Sequence, residues 1–176
     1  MPFANSNHPQ NAECTMSQKS KQFDLSTFNW EKNSWTVVAL ARNHFDPDKY
    51  NWKKDSWAVV VYAPELFDPD KYNWKDASHY IVRYTPQFFD PDKYNWEKDS
   101  WAIVKYTPQY FDPDRYNWKK DSWAVVVYTP QFFDPDRYNW EDYSNFVLSY
   151  APHLIDYKRM NWEQIYKDSE LSSNAF

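Results

Sequence analysis

The chain has 176 residues, a formal net charge of -5, 22% aromatic residues, 12 prolines and no glycine. Lysine and arginine are distributed along the whole sequence, which excludes the basic patch that a nucleic acid or an anionic membrane surface would require. No stretch approaches the roughly 18 consecutive apolar residues of a membrane span. The single cysteine, Cys14, excludes an intrachain disulfide and a multi-cysteine metal site, and we expect no cofactor.

The first 22 residues differ from the rest of the chain because they are polar and contain no apolar run of signal-peptide length. We expect this segment, residues 1–22, to form a disordered or extended leader. Together with the single cysteine, the absence of a signal sequence favours a cytoplasmic location.

From residue 23 onward the sequence repeats with a period of 22 residues, marked by the dipeptide Asn-Trp from Asn29-Trp30 to Asn161-Trp162. A fixed period of this length is typical of solenoids, in which each unit buries its apolar face against its neighbours. We predict a single solenoid domain over residues 23–176, with units that begin at residues 23, 45, 67, 89, 111, 133 and 155. The first and last units depart from the consensus, as capping repeats do.

Within each unit, the segment equivalent to residues 56–62 is rich in valine, and valine propensity alone favours a β-strand. Comparison of the five central units favours a helix instead. Positions 56, 59, 60 and 63 stay small or apolar, whereas positions 57 and 61 accept polar residues in other units. This spacing describes one face of a helix, which we predict over residues 51–62. The predicted core of this unit consists of Tyr50, Trp52, Val59, Val60, Tyr62 and Leu66.

Proline marks the two connections of each unit. Asp46-Pro47-Asp48 has the form of a helix start, with aspartate as the N-cap and proline at the first helical position. Thr85-Pro86-Gln87 repeats this arrangement after the helix of the third unit. We expect short 3₁₀ turns at these places, which would turn the chain without glycine.

The stretch from Asp55 to Leu66 resembles the leucine-rich repeat variant family of bacterial helical solenoids. In that family an acidic residue precedes a helix rich in valine and alanine, and a proline then opens a short second helix. The resemblance covers half of each unit, and aromatic residues stand where that family uses leucine. It implies a superhelix of alternating α and 3₁₀ segments and no activity. The iron–sulfur segment associated with the family is not implied, because the chain has one cysteine.

These observations together predict an all-α fold. We expect a right-handed α/3₁₀ solenoid of seven 22-residue repeats with atypical capping repeats, although the residues alone leave the hand of the superhelix open.

Two aspartates flank the proline of each central Asp-Pro-Asp sequence. If the units superpose, these carboxylates form a ladder, and oxygen-rich ladders can bind Ca²⁺. Capping is the favoured role, because calcium loops use glycine and more oxygens per site, and a lysine or arginine follows each pair. We therefore predict no metal site. The weak metal candidates are Asp46, Asp48, Asp68, Asp70, Asp90, Asp92, Asp112, Asp114, Asp134 and Asp136.

The asparagine of the Asn-Trp dipeptide never changes, which indicates a structural role. It could cap the helix or form a ladder that bonds backbone groups of adjacent units. The four histidines, His8, His44, His79 and His153, do not have the spacing of a metal or catalytic cluster. No arrangement of nucleophile and base is evident, so we expect that the protein is not an enzyme.

The positions that vary between aromatic and polar residues predict an outward stripe, and exposed aromatic residues beside cations are typical of interaction sites. The alternative is that the indoles pack on the neighbouring unit. The leading hypothesis is a non-catalytic repeat scaffold that mediates protein–protein or peptide interaction. Two alternatives are a structural, self-assembling rod and a binder of carbohydrate or calcium through the stripe or the aspartate ladder. The candidate stripe consists of Trp35, Trp57, His79, Arg83, Trp101, Lys105 and Trp123.

Overall fold

The computed structural model describes residues 27–173, with side chains to residue 168, so the predicted leader (residues 1–22) lies outside the described residues. Throughout this range the regular secondary structure is helical, and it contains no strand. None of these helices combines the length and the apolar character needed to cross a bilayer. The seven α-helices are α1 (Trp30–Leu40), α2 (Trp52–Tyr62), α3 (Trp74–Tyr84), α4 (Trp96–Tyr106), α5 (Trp118–Tyr128), α6 (Trp140–Tyr150) and α7 (Trp162–Ser173).

Each of the first six helices is followed by a short 3₁₀ helix, and consecutive α-helices pack against one another along the chain. Every α-helix begins at the tryptophan of an Asn-Trp dipeptide, so the period of the sequence is the period of the fold. The prediction of an all-α solenoid built from α and 3₁₀ segments is confirmed. The 3₁₀ helices are Arg42–His44, Pro64–Leu66, Pro86–Phe88, Pro108–Tyr110, Pro130–Phe132 and Pro152–Leu154.

The invariant asparagine fulfils both of its predicted roles. The side-chain oxygen of Asn51 accepts a hydrogen bond from the backbone N–H of Lys54 at 3.2 Å, which caps α2. Its Nδ2 donates to the carbonyl oxygen of Glu31 in the preceding unit at 3.1 Å. From α2 to α7, one side chain therefore starts each helix and also ties it to the preceding helix.

The chain leaves each helix without glycine. At the end of α2, Ala63 has φ -146 and ψ 66, and its N–H still donates to the carbonyl oxygen of Val59 at 2.9 Å. Pro64 then begins the 3₁₀ turn with its fixed backbone angle. Since no residue of the described range has a positive φ, these corners place no demand on glycine.

The predicted apolar stripe forms the core, because Ser56, Val59, Val60 and Ala63 are all buried. The assignment of Tyr62 to the core was wrong, since this side chain is 39% exposed. Ala63 takes the inward position at the end of α2, and a residue one step earlier is rotated by about 100° around the helix axis. Tyr62 consequently lies beside the core, on the surface.

The two connections marked by proline differ in part from their predicted form. Asp46 begins a single turn and not a helix: its carbonyl oxygen accepts from the N–H of Tyr50 at 3.0 Å, and its Oδ1 accepts from the N–H of Asp48 at 3.0 Å. The 3₁₀ turn at Pro86 is present, but the Thr85 hydroxyl makes no capping bond and is buried without a partner. Proline and the end of the preceding helix therefore determine the second turn.

Aromatic side chains join successive 3₁₀ turns. Phe67, which follows the turn Pro64–Leu66, stacks on Phe88 at the end of the next turn with ring centroids 4.6 Å apart, and Phe89 stacks on Tyr110 at the same distance. Each such pair contributes about 0.5–1.5 kcal/mol beyond the burial of its surface. The aromatic residues of this repeat therefore add directional contacts between successive 3₁₀ turns.

Candidate interaction surface

Helices α2 to α6 each end in a tyrosine, and these five tyrosines form a row along the solenoid. Tyr62, Tyr84, Tyr128 and Tyr150 are 39%, 44%, 39% and 61% exposed, and Tyr106 is half-buried. Sequence reasoning missed this row because it placed the tyrosine in the core. The signal that could have found the row is the position of each tyrosine directly before the buried alanine or threonine that follows the helix.

The predicted tryptophan stripe lies beside this row and is half-buried. Trp35 stacks on Trp57 with ring centroids 6.4 Å apart, and Trp57 lies 5.8 Å from Tyr80 in the next unit. Trp123 lies 5.7 Å from Phe146 in the same manner. The indoles therefore fill the space between units and leave part of each ring accessible.

The aromatic group moves by one residue where the tryptophan is replaced. Most central units contain the pair Trp-Ala, but the third and sixth units contain His79-Tyr80 and Asn145-Phe146. In both cases the displaced ring contacts the tryptophan of the preceding unit. This exchange keeps an aromatic contact between each of these units and the tryptophan of the preceding unit.

Two cations, Arg83 and Lys105, lie among the tyrosines at equivalent positions of adjacent units. The guanidinium carbon of Arg83 lies 5.0 Å from the ring centre of Tyr84 and 5.4 Å from that of Tyr106. The ammonium nitrogen of Lys105 lies 5.3 Å from the ring of Tyr106 and 5.0 Å from that of Tyr128. A hydrogen bond with the Tyr128 hydroxyl raises the pKa of Lys105 above its ordinary value.

Each cation thus lies between two successive tyrosine rings, and within residues 27–168 neither forms an ion pair with a carboxylate. Cation–π contacts of this kind contribute about 0.5–1 kcal/mol at exposed sites. The positive charges therefore remain available to a ligand. We call this surface the aromatic–cation face and define it by Trp57, Tyr62, Arg83, Tyr84, Trp101, Lys105, Tyr106, Trp123, Tyr128 and Tyr150.

Beneath the aromatic–cation face, buried serine and aspartate side chains link adjacent units. The Ser100 hydroxyl donates to Oδ2 of Asp121 in the next unit at 2.6 Å and accepts from the N–H of Asn117 at 3.2 Å. The same carboxylate oxygen accepts from the backbone N–H of Trp101 at 3.1 Å. This arrangement fixes the tryptophan-bearing turn, and the pair recurs as Ser34–Asp55 and Ser78–Asp99.

His79, which replaces tryptophan in the stripe, is engaged by one of these buried carboxylates. Its Nδ1 lies 3.4 Å from Oδ2 of Asp99, to which the Ser78 hydroxyl also donates at 2.7 Å. Burial raises the pKa of Asp99, but the hydrogen bonds from His79 and Ser78 outweigh burial and hold the pKa below its ordinary value of 3.8. At Asp121 burial dominates and raises the pKa. His79 therefore contacts a buried serine–aspartate pair beneath the aromatic–cation face.

The weak metal candidates lie on a separate edge, where the second aspartate of each central Asp-Pro-Asp turn pairs with a cation of the next unit. Lys71 approaches Asp48 at 2.8 Å, and Arg137 approaches Asp114 at 2.8 Å. The first aspartate accepts a backbone N–H within its own turn. Among the described residues no three His, Cys, Asp or Glu side chains are grouped to hold a metal ion. The remaining pairs between units are Asp70–Lys93, Asp92–Arg115 and Asp136–Arg159.

A shallow hollow of about 240 Å³ opens at the C-terminal end of the aromatic–cation face. It is lined by Asn145, Phe146, Ser149 and Tyr150. Asn145 and Ser149 occupy positions that hold tryptophan and valine in other units, so their smaller side chains leave this space. The side-chain oxygen of Asn145 is buried there without a hydrogen-bond partner.

No known protein family, curated protein or solved structure matches the chain. The likeness to the leucine-rich repeat variant family is therefore limited to the alternation of α and 3₁₀ segments.

Proposed function

We propose that this protein is a non-catalytic repeat scaffold that binds a protein or peptide through the aromatic–cation face. The observation that supports this function is the row of five tyrosines on successive helices, four of them exposed and one half-buried, with two cations that lie between their rings and form no ion pair within the described part of the chain. Tyrosine and arginine are enriched at the centres of binding interfaces. The alternation of α and 3₁₀ segments, shared with the leucine-rich repeat variant family, fits a scaffold and implies no reaction.

Rigid presentation favours binding by this surface. The rings of the face are held by contacts with neighbouring rings, as in the edge-on pair Trp57 and Tyr62 at 6.1 Å. Tyrosine offers a large contact area for few rotatable bonds, so its ordering costs little on association. A preorganised surface of this kind loses less entropy on binding than a flexible loop.

One residue difference weighs against the alternative of a rod that grows head to tail. In the second to sixth units an aspartate follows the Asp-Pro pair. This aspartate forms an ion pair with the lysine or arginine of the next unit. The seventh unit has Lys158 at this position. The unit that would follow in such a rod is the first unit of a second copy, in which Thr27 stands at the position of the cation. The junction would have neither the acidic nor the basic partner of the ion pair, so the ion-pair ladder does not support extension.

The test is a selection of peptides from a displayed random library against the wild-type protein, followed by measurement of their affinity for variants. Tyr106→Ala and Tyr128→Ala should weaken the selected peptides about tenfold or more, because each variant removes a ring from the face. Tyr166→Ala is the matched control, since it removes a surface tyrosine of α7 outside the face. A library that yields no binder, or binders that are equally insensitive to all three changes, would contradict the proposal.

A further inference from the structure

The spacing of the tyrosine rings narrows the chemistry of the partner. Arg83 lies between the rings of Tyr84 and Tyr106, and Lys105 lies between those of Tyr106 and Tyr128. Successive ring centres are therefore no more than about 10 Å apart, in agreement with the usual spacing of packed helices. Because packed helices lie about 8–10 Å apart, a ligand that contacts every ring must repeat at about this interval.

A polyproline II helix has this repeat. It rises about 3.1 Å per residue with three residues per turn, so equivalent side chains recur every 9.3 Å or so. A β-strand repeats its side-chain direction about every 6.6 Å and falls out of register with the tyrosine row after one unit. Proline-rich segments in this conformation also bind grooves lined with aromatic residues in other proteins.

The charges of the face select an acidic form of such a segment. Four positions of each unit hold the residues of the face or the displaced rings beside them, and in the second unit these are residues 57, 58, 61 and 62. In the first six units, none of the residues in these four rows is an aspartate or a glutamate. In these six units the charged residues of these rows are Arg83 and Lys105, although the chain as a whole has a net charge of -5. Because the two cations lie one unit apart, carboxylates three residues apart on a polyproline II helix would meet both of them.

The hydroxyl groups of the tyrosines supply a further match. A polyproline II helix makes no internal hydrogen bonds, so its carbonyl oxygens remain free acceptors. The hydroxyl groups of exposed tyrosines such as Tyr84 and Tyr128 can donate to them while the rings contact the prolines. Apolar contact, backbone hydrogen bonds and charge pairing would thus recur together once per unit.

From these matches we infer that the aromatic–cation face binds an acidic, proline-rich protein segment in the polyproline II conformation, with glutamate or aspartate at every third residue. This inference rests on the proposed scaffold function and specifies its ligand. The segment runs along the tyrosine row, and two of its carboxylates pair with Arg83 and Lys105.

The experiment is a calorimetric titration of the whole protein with a synthetic peptide of five Pro-Pro-Glu triplets, which spans about 45 Å as a polyproline II helix. Two control peptides separate charge from conformation: five Pro-Pro-Lys triplets reverse the charge, and five Gly-Ser-Glu triplets keep the charge on a flexible chain. We expect both controls to bind about tenfold more weakly or not at all. Equal binding of the flexible acidic peptide would overturn the inference.

Variants locate the binding surface. The double variant Arg83→Glu and Lys105→Glu should weaken the Pro-Pro-Glu peptide about tenfold or more, and the milder pair Arg83→Gln and Lys105→Gln should weaken it less. The matched control, Lys53→Glu and Lys75→Glu, makes the same change in net charge near the opposite ends of the helices, about 12 Å away along the helix axis. Circular dichroism checks that each variant keeps its helices. Equal losses in both glutamate variants would show non-specific attraction and overturn the inference.

The peptide library distinguishes failure of this inference from failure of the proposed function. If the Pro-Pro-Glu peptide does not bind but the library yields other peptides that depend on Tyr106, the face binds a different ligand and only the inference is wrong. If neither source yields a binder that depends on Tyr106, both are wrong.

Discussion

Replacing Ser100 with alanine should destabilise the protein more than the same replacement of Ser122, although both serines occupy the same position of their units. The Ser100 hydroxyl donates to the buried carboxylate of Asp121 at 2.6 Å and accepts a backbone N–H at 3.2 Å. The Ser122 hydroxyl accepts the equivalent N–H, also at 3.2 Å, but Tyr143 stands where the carboxylate would be. The two variants therefore differ by one buried, charged hydrogen bond.

The expected difference follows from the partners that each variant leaves unpaired. A hydrogen bond to a charged group contributes about 1.5–3 kcal/mol, and a buried N–H without a partner costs about 1 kcal/mol. The free energy of unfolding should fall by about 3 kcal/mol in Ser100→Ala and by about 1 kcal/mol in Ser122→Ala. For a domain of this size, a difference of about 2 kcal/mol corresponds to about 4–8 °C in melting temperature.

Urea denaturation, followed by circular dichroism and by tryptophan fluorescence, gives the free energy of unfolding of both variants. Acid supplies a second test, because burial raises the pKa of Asp121 and the loss of the serine bond raises it further. The deficit of Ser100→Ala should therefore shrink as the pH falls and the carboxyl becomes protonated. Equal losses in the two variants, or a deficit that does not change with pH, would refute the role given to the buried carboxylate.

Three further predictions concern the aspartates and a buried threonine. The folded-state pKa of Asp99 is lowered, so its contribution to stability is present above pH 3.8 and is lost below it. The folded-state pKa of Asp121 is raised, so its contribution to stability is present below pH 3.8 and is lost above it. Relative to wild type, Asp99→Asn should therefore lose stability as the pH rises from about 2 to about 7, and Asp121→Asn should gain stability. Thermal melts across this pH range measure both trends, and parallel trends would contradict the opposite pKa shifts of the two aspartates. Thr107→Val should raise the free energy of unfolding by about 1 kcal/mol in urea, since the Thr107 hydroxyl is buried without a partner, and a loss would show that this hydroxyl has one. The melting temperature should be unchanged by EDTA, because the second aspartates of the turns pair with cations such as Lys71, and a fall of several degrees would indicate a bound metal.

The helices could be predicted from the sequence because the repeat displays the same local pattern several times over. The positions of Trp57 and Val61 hold polar residues in other units, whereas the positions of Val59 and Val60 stay apolar in the central units. This contrast identified the buried side of the helix. The N-cap asparagine was predictable for the same reason, since its hydrogen bond to Lys54 lies within three residues. Features determined by local geometry were therefore open to sequence reasoning.

The surface could not be predicted fully, because its features depend on how one unit lies against the next. The exposure of Tyr62 follows from the inward position of Ala63 at the helix end, which the average helix pattern does not specify. The bond between Ser100 and Asp121 spans two units and 21 residues, so neither residue signals it alone. Comparison of the units gives only a partial signal of this bond, because the position of Asp121 is occupied by Ala77 and Tyr143 in other units.

The most direct test of the binding face is a nuclear magnetic resonance titration of the protein with a peptide obtained from the library selection. Labelled tyrosine rings and labelled arginine and lysine side chains report separately on the aromatic–cation face and on the ion-pair edge. The proposed function predicts that the signals of Tyr84, Tyr106, Arg83 and Lys105 shift together as peptide is added, while that of Arg137 on the ion-pair edge stays in place. Shifts confined to the arginines and lysines of the ion-pair edge, with the tyrosine rings unaffected, would contradict it.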